Sequence, residues 1–125
     1  MYLKLNYNKK INYNNIIIKI CGSKSITNRL LIIKNIYKNV NHFLQLYNAS
    51  NSNDTKLMLV SLRSKKKKIN VRDAGTVMRF LISYFAIKKN SNKILTGNSR
   101  MRKRPIFHLV KALQSIGGDI KYLKE

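Results

Sequence analysis

Short stretches of alternating apolar and polar residues take turns along the chain with longer runs of helical spacing. Residues 2–7 and 15–20 predict short strands. A helix is predicted over 25–37, with Ser25 as its N-cap and Leu30, Ile33 and Tyr37 as its apolar face. Residues 42–47 predict a strand, Asn53-Asp54-Thr55 opens a short helix carrying Leu57, Leu59, Val60 and Leu62, and 68–71 predicts another strand. Asp73 is placed to cap a helix running to about residue 87. Its Val77, Phe80, Leu81, Tyr84, Phe85 and Ile87 are apolar on most sides, which predicts deep burial. A strand at 93–96 ends at Gly97. The last helix opens at Pro105, keeps helical spacing through Ile106, Leu109, Val110, Leu113 and Ile116, and stops at Gly117-Gly118. Residues 119–123 predict a final strand. This alternation implies an α/β (α+β) architecture of repeated strand-helix units, not a bundle or a sandwich, and no linker interrupts it.

Composition narrows the class. A length of 125 residues predicts one domain with a modest core, and 44% hydrophobic residues exclude a fully disordered basic tail. One cysteine forms no intrachain disulfide, and with two histidines it supplies no usual structural zinc site. No apolar run approaches the roughly 18 residues of a membrane span. The only early apolar run, Ile16-Ile17-Ile18, is closed by Lys19 and is no signal-peptide core. The expectation is a reducing, cytoplasmic setting without membrane contact.

The formal charge of +22, from 26 basic and four acidic residues, invites a nucleic-acid reading. Yet 19 Lys, 16 Asn, 16 Ile and seven Tyr make up 58 of the 125 residues, and all four types can be encoded by A and T alone. Much of the lysine therefore reads as the bias of an AT-rich genome. The dense run Lys65-Lys66-Lys67-Lys68 reads as a solvated turn. A nucleic-acid module would add clustered arginine, stacking aromatics or a module signature. The alternative of a basic nucleic-acid-binding module rests on net charge alone, and no specific nucleic acid is expected.

Three strand-to-helix junctions carry the candidate chemistry: Ser23-Lys24-Ser25, Asp73-Ala74-Gly75-Thr76 and Arg102-Lys103-Arg104-Pro105. A helix start offers unpaired N–H groups and the positive end of a dipole. Three such starts with cations beside them suggest a site for a multiply anionic small molecule. Taken singly, Ser25, Asp73 and Arg104 read equally well as cap-region residues. Ser25 and Arg29, four apart, share a helical face behind Lys24, so a hydroxyl, an ammonium and a guanidinium can converge on one anion. Gly75 lets a phosphate approach the backbone, and Arg79 either holds the ligand or braces the junction. Arg100, Arg102 and Arg104 alternate along what reads as an extended loop. The four acids Asp54, Asp73, Asp119 and Glu125 offer no convincing acid-base pair, and neither His42 nor His108 has a suggestive Ser or Cys partner. Cys21 reads as buried and inert. This is the anion-holding half of a site.

The segments Gly22-Ser23-Lys24-Ser25-Ile26-Thr27-Asn28-Arg29, Asp73-Ala74-Gly75-Thr76-Val77-Met78-Arg79-Phe80-Leu81 and Leu95-Thr96-Gly97 with Arg100-Met101-Arg102-Lys103-Arg104-Pro105-Ile106 resemble the EPSP synthase family in kind and order, from about residue 15 to the end. The sister family, UDP-N-acetylglucosamine enolpyruvyl transferase, usually has Lys-Asn where this chain has Lys24-Ser25. The resemblance implies transfer of the enolpyruvyl group of phosphoenolpyruvate to the 5-hydroxyl of shikimate 3-phosphate, with release of phosphate and with no metal or organic cofactor. It implies that Lys24 touches both substrates, that Ser25 and Arg29 hold shikimate 3-phosphate, and that Gly75 and Arg104 line the phosphoenolpyruvate site. Asp73, Thr76 and Arg79 support the loop, Asp73 standing where many members have Asn. Members exceed 400 residues in two similar domains and are expected to be monomers. Residues 1–125 are thus expected to be an amino-terminal fragment without the family's catalytic acid-base residues and inactive alone. Strands within about 1–22 are expected to belong to the second domain.

Overall fold

The computed structural model describes Lys4, residues 19–37 and residues 44–123. Its elements are α1 (Lys24–Ile36), α2 (Asn53–Arg63), β1 (Lys68–Asn70), α3 (Gly75–Ile87), β2 (Ile94–Thr96), α4 (Ser99–Arg102) and α5 (Phe107–Ser115). β1 and β2 pair in parallel, Ile69 opposite Leu95. A parallel pair needs a crossover, and α3 supplies it. Backbone bonds extend the ladder past both ends, Ile94 N–H to the Lys67 carbonyl and Val71 N–H to the Thr96 carbonyl, each 2.8 Å. Two strands alone are marginal, so the pair depends on its cover.

That cover is α3. Of the residues predicted to be deeply buried, Phe80 and Phe85 are half-buried and Ile87, at the end of the helix, is 56% exposed, whereas Val77 and Leu81 are 0% exposed and Tyr84 is buried, with Met78 and Ile82 beside them. They pack with Ile69 and Val71 from the β1 segment, Met58 and Leu62 from α2, Leu31 from α1 and Met101 from α4. Each fully buried aliphatic contributes roughly 1.5–3 kcal/mol relative to exposure. Helix α5 lies at the margin, with only Val110 buried. It ends in a Schellman turn: Gly117 takes φ +95°, and Gly118 N–H donates to the Leu113 carbonyl at 2.9 Å.

Several expectations are corrected. Helix α1 is capped by Ser23, not Ser25. Its inward face is Thr27, Asn28 and Leu31, while Ile33 and Tyr37 are 43% and 59% exposed. Thr27 can face inward because its Oγ1 accepts from Ser50 N–H at 3.0 Å, whereas the buried amide of Asn28 makes no hydrogen bond among the described residues. Asp73 does not cap α3, and Pro105 does not open α5, which starts two residues later. Residues 44–47 and 119–123 form no strand, since no neighbouring segment among the described residues pairs with them. Cys21 is exposed, on an extended segment ahead of α1. Of the strands expected at 2–7 and 15–20, only Lys4, Lys19 and Ile20 lie within the described residues, and none is in a strand; His42 lies outside them. Among the described residues no helix is long and apolar enough to cross a membrane.

Candidate functional site

The first junction begins with Ser23, whose Oγ accepts from Ile26 N–H at 3.4 Å. With Ser23 as cap, the Ser25 hydroxyl is not spent on the helix end, and Ser25 is exposed. Lys24, the first helical residue, donates from Nζ to Asp54 Oδ2 at 3.1 Å across to the first turn of α2. Arg29 Nη1 donates back to the Ser25 carbonyl at 3.0 Å, and its guanidinium lies 5.6 Å from the centroid of the Phe80 ring on α3. Lys24, Ser25 and Arg29 thus share one helix end, and Arg29 reaches from it to α3.

The second junction is built on a bent backbone. Arg72 takes φ +54°, a costly conformation for a side chain of this size. It is held by Asn70 Oδ1, which accepts its N–H, and by its carbonyl, which accepts from Asn98 N–H, both at 2.8 Å. This turn leads to Gly75, where α3 starts with Ala74 as N-cap and no capping side chain. The first-turn N–H groups of α3 therefore have no internal acceptor from a cap. Asp73 is exposed and Thr76 half-buried beside them.

Two arginines close on this helix start. A Cβ on Gly75 would collide with Arg104 Nη1 and would lie 3.4 Å from Arg79 Nη1. Arg79 also braces the third junction, donating from Nη2 to the Pro105 carbonyl at 3.0 Å. Two guanidinium groups and an uncapped helix end thus converge, the arrangement that attracts a phosphate or carboxylate. The third junction is not the extended loop that its alternating arginines predict. It contains α4, capped by Asn98, whose Oδ1 accepts from Met101 N–H at 2.8 Å. Met101 is 2% exposed and pins the turn to the core, which leaves Arg100 and Arg102 outside and turns the half-buried Arg104 towards α3. Arg104 therefore serves the start of α3, not that of α5.

The structure joins Gly75, Arg79 and Arg104 directly, and links Arg29 to them through Phe80, the neighbour of Arg79. Two concavities among the described residues lie elsewhere, one between α1 and residues 46–49 and one among α1, α2 and the end of α3; neither includes Gly75 or Arg104. Sequence reasoning missed Asp54 as the partner of Lys24 and Phe80 as the seat of Arg29. Both contacts span long sequence distances, and spacing along the chain carries no signal for them.

Residues 61–125 match the family model of EPSP synthase (3-phosphoshikimate 1-carboxyvinyltransferase), just over half of the 125 residues and inclusive of the second and third junctions. The chain belongs to the EPSP synthase family. It is 39% identical over 107 residues to the 3-phosphoshikimate 1-carboxyvinyltransferase of Bacteroides fragilis (strain YCH46), which covers 86% of this chain and 25% of that protein. The proteins of the same name from Buchnera aphidicola subsp. Baizongia pistaciae and Haemophilus influenzae (strain PittEE) are each 35% identical, over 134 and 135 residues; each alignment covers 86% of this chain, and 30% and 31% of those proteins. The chain spans between a quarter and a third of the length of these relatives. No solved structure matches it.

Proposed function

We propose that this chain is the amino-terminal, substrate-anion-holding part of an enzyme that transfers the enolpyruvyl group of phosphoenolpyruvate to the 5-hydroxyl of shikimate 3-phosphate. The observation that carries the reading is the convergence of Arg104 and Arg79 on the uncapped start of α3 above Gly75. Phosphoenolpyruvate is a small molecule with a phosphate and a carboxylate, and a forked guanidinium beside free backbone N–H groups suits either. In this reading Gly75 and Arg104 receive phosphoenolpyruvate, and Ser25 and Arg29 hold shikimate 3-phosphate. Lys24 reaches both, while Asp73, Thr76 and Arg79 shape the loop. In the reaction the alkene is protonated, the hydroxyl attacks, and the tetrahedral adduct loses phosphate. The chain's own residues supply binding and orientation; the proton-transferring groups and the opposite wall belong to the longer protein, a two-domain monomer of the cytoplasm.

Titration of the 125-residue chain with shikimate 3-phosphate and with phosphoenolpyruvate, followed by amide NMR, tests the reading. Shifts are expected around Lys24, Ser25 and Arg29 for the first ligand and around Gly75 and Arg104 for the second. A phosphate-release assay with both substrates is expected to show no turnover, because acid-base groups and half the water-excluding walls are absent. Turnover dependent on both substrates would refute the division of labour. Absence of binding by either ligand at millimolar concentration would refute the site.

A further inference from the structure

The long-range ion pair at the first junction, Lys24 with Asp54, has no place in the roles above. The chain carries 26 basic and four acidic residues, so an acid placed against a site cation is a scarce resource. Two ion pairs are formed among the described residues. Lys121 with Asp119 is local, 3.7 Å long, with both side chains at least 80% exposed. Lys24 with Asp54 is 3.1 Å long, joins residues 30 apart, and has side-chain exposures of 48% and 26%. It ties the first residue of α1 to the second residue of α2, so two helix starts lie side by side. Asp54 is well seated for this: it lies in the first turn of α2, where the dipole favours a carboxylate, and Ser52 already caps that helix. Its carboxylate is thus not needed as a cap.

We propose that Asp54 is a positioning residue for Lys24, an assignment that rests on the enolpyruvyl-transfer reading of the site. A lysine stem is long and flexible, and the ammonium carries three donors. Asp54 Oδ2 occupies one donor and fixes where the ammonium sits; two donors remain for a ligand that also reaches Ser25 and Arg29. The Asp54 charge opposes every anion alike, whereas an ammonium fixed in place rewards a ligand that also reaches Ser25 and Arg29. Asp54 therefore favours a ligand of the shape of shikimate 3-phosphate over free phosphate.

The test uses the 125-residue chain and its Asp54→Asn and Asp54→Glu variants. Competitive acylation with trace acetic anhydride, read by mass spectrometry, compares Lys24 with the exposed Lys66. An ion-paired ammonium acylates slowly, so Lys24 is expected to be protected about two- to fivefold in the native chain, the range of a partly exposed pair. Asp54→Asn abolishes that protection, and Asp54→Glu retains it. Titration with shikimate 3-phosphate and with inorganic phosphate is expected to show the affinity ratio falling about tenfold in Asp54→Asn. A purely structural role would lower the melting temperature and leave both ratios alone. Equal acylation of Lys24 in the native and Asn chains overturns the proposal, and so does an unchanged affinity ratio. If the native chain binds neither ligand, the enolpyruvyl reading fails, while the acylation ratio still decides whether Asp54 holds Lys24. Should Asp54→Asn not fold, Asp54→Glu carries the affinity test, since its longer arm displaces the ammonium and lowers the ratio.

Discussion

The starts of α1 and α3 are both helix ends bearing cations, yet they are finished differently. At α1 the end is capped by Ser23, Lys24 is matched by Asp54, and Arg29 is occupied by the Ser25 carbonyl and the Phe80 ring. At α3 no side chain caps the end, Asp73 stays exposed, and Arg79 and Arg104 crowd the Cβ position that Gly75 leaves vacant. The first is a balanced end, in which the protein supplies most partners and a ligand must displace or share them. The second is an unbalanced end, in which like charges are drawn together, an arrangement that an external anion would complete. An anion should accordingly bind the α3 end on charge, and the α1 end on shape.

The largest expected effect comes from removing the charge at the unbalanced end. Arg104→Ala should weaken phosphoenolpyruvate binding by roughly 10- to 150-fold, from the ~1.5–3 kcal/mol of a charge-assisted hydrogen bond. Arg104→Lys should recover only part, because the ammonium lacks the fork. Binding of shikimate 3-phosphate, measured by the same titration, should hardly change; equal loss of both ligands would erase the distinction between the two ends.

Gly75→Ala should separate ligand geometry from stability. The new methyl meets the tip of the Arg104 side chain, which can swing away, so stability should stay within about 0.5 kcal/mol. The displaced guanidinium should still cost phosphoenolpyruvate on the order of tenfold in affinity, toward the lower end of a lost charged hydrogen bond. A normal affinity together with a lowered melting temperature would reverse that assignment.

Ser23→Ala sharpens the comparison from the other side. Loss of the cap should destabilise the chain by about 0.5–2 kcal/mol in denaturant melts. No comparable cap contribution exists at α3, where Asp73→Ala should change stability by less than about 0.5 kcal/mol. If the two substitutions cost the same, the contrast in capping is wrong.

The smallest effect concerns bulk charge. Double-stranded DNA should bind weakly, without sequence preference, and be released at moderate salt. A sequence bound about 10³-fold above bulk DNA at physiological salt would instead favour the nucleic-acid alternative.

How much of this was legible beforehand depended on range. Helix α3 was readable because Val77, Leu81 and their neighbours are apolar at helical spacing, and a helix apolar on most sides must be buried. The end of α5 was readable because Gly117-Gly118 is a local signal for a left-handed residue. The face of α1 was misread: Leu30, Ile33 and Tyr37 match a helical stripe, but Thr27 and Asn28 face inward, Thr27 accepting from Ser50 N–H. The turn α4 was missed because its arginines masked Met101, the residue that anchors it.

For the site, the three motifs and their order were present in the residues themselves, since glycine, arginine and helix-start positions are local properties. Their sequence alone determined that cations and a glycine sit beside helix starts. Which junction each group serves was decided only by tertiary structure. Met101 must be buried before Arg104 can point at Gly75 instead of its own helix, and α1 must lie beside α2 before Asp54 can meet Lys24. The physical reason is the same in both cases: capping and spacing act over three or four residues, whereas the direction of a long charged side chain is set by packing between elements that lie tens of residues apart.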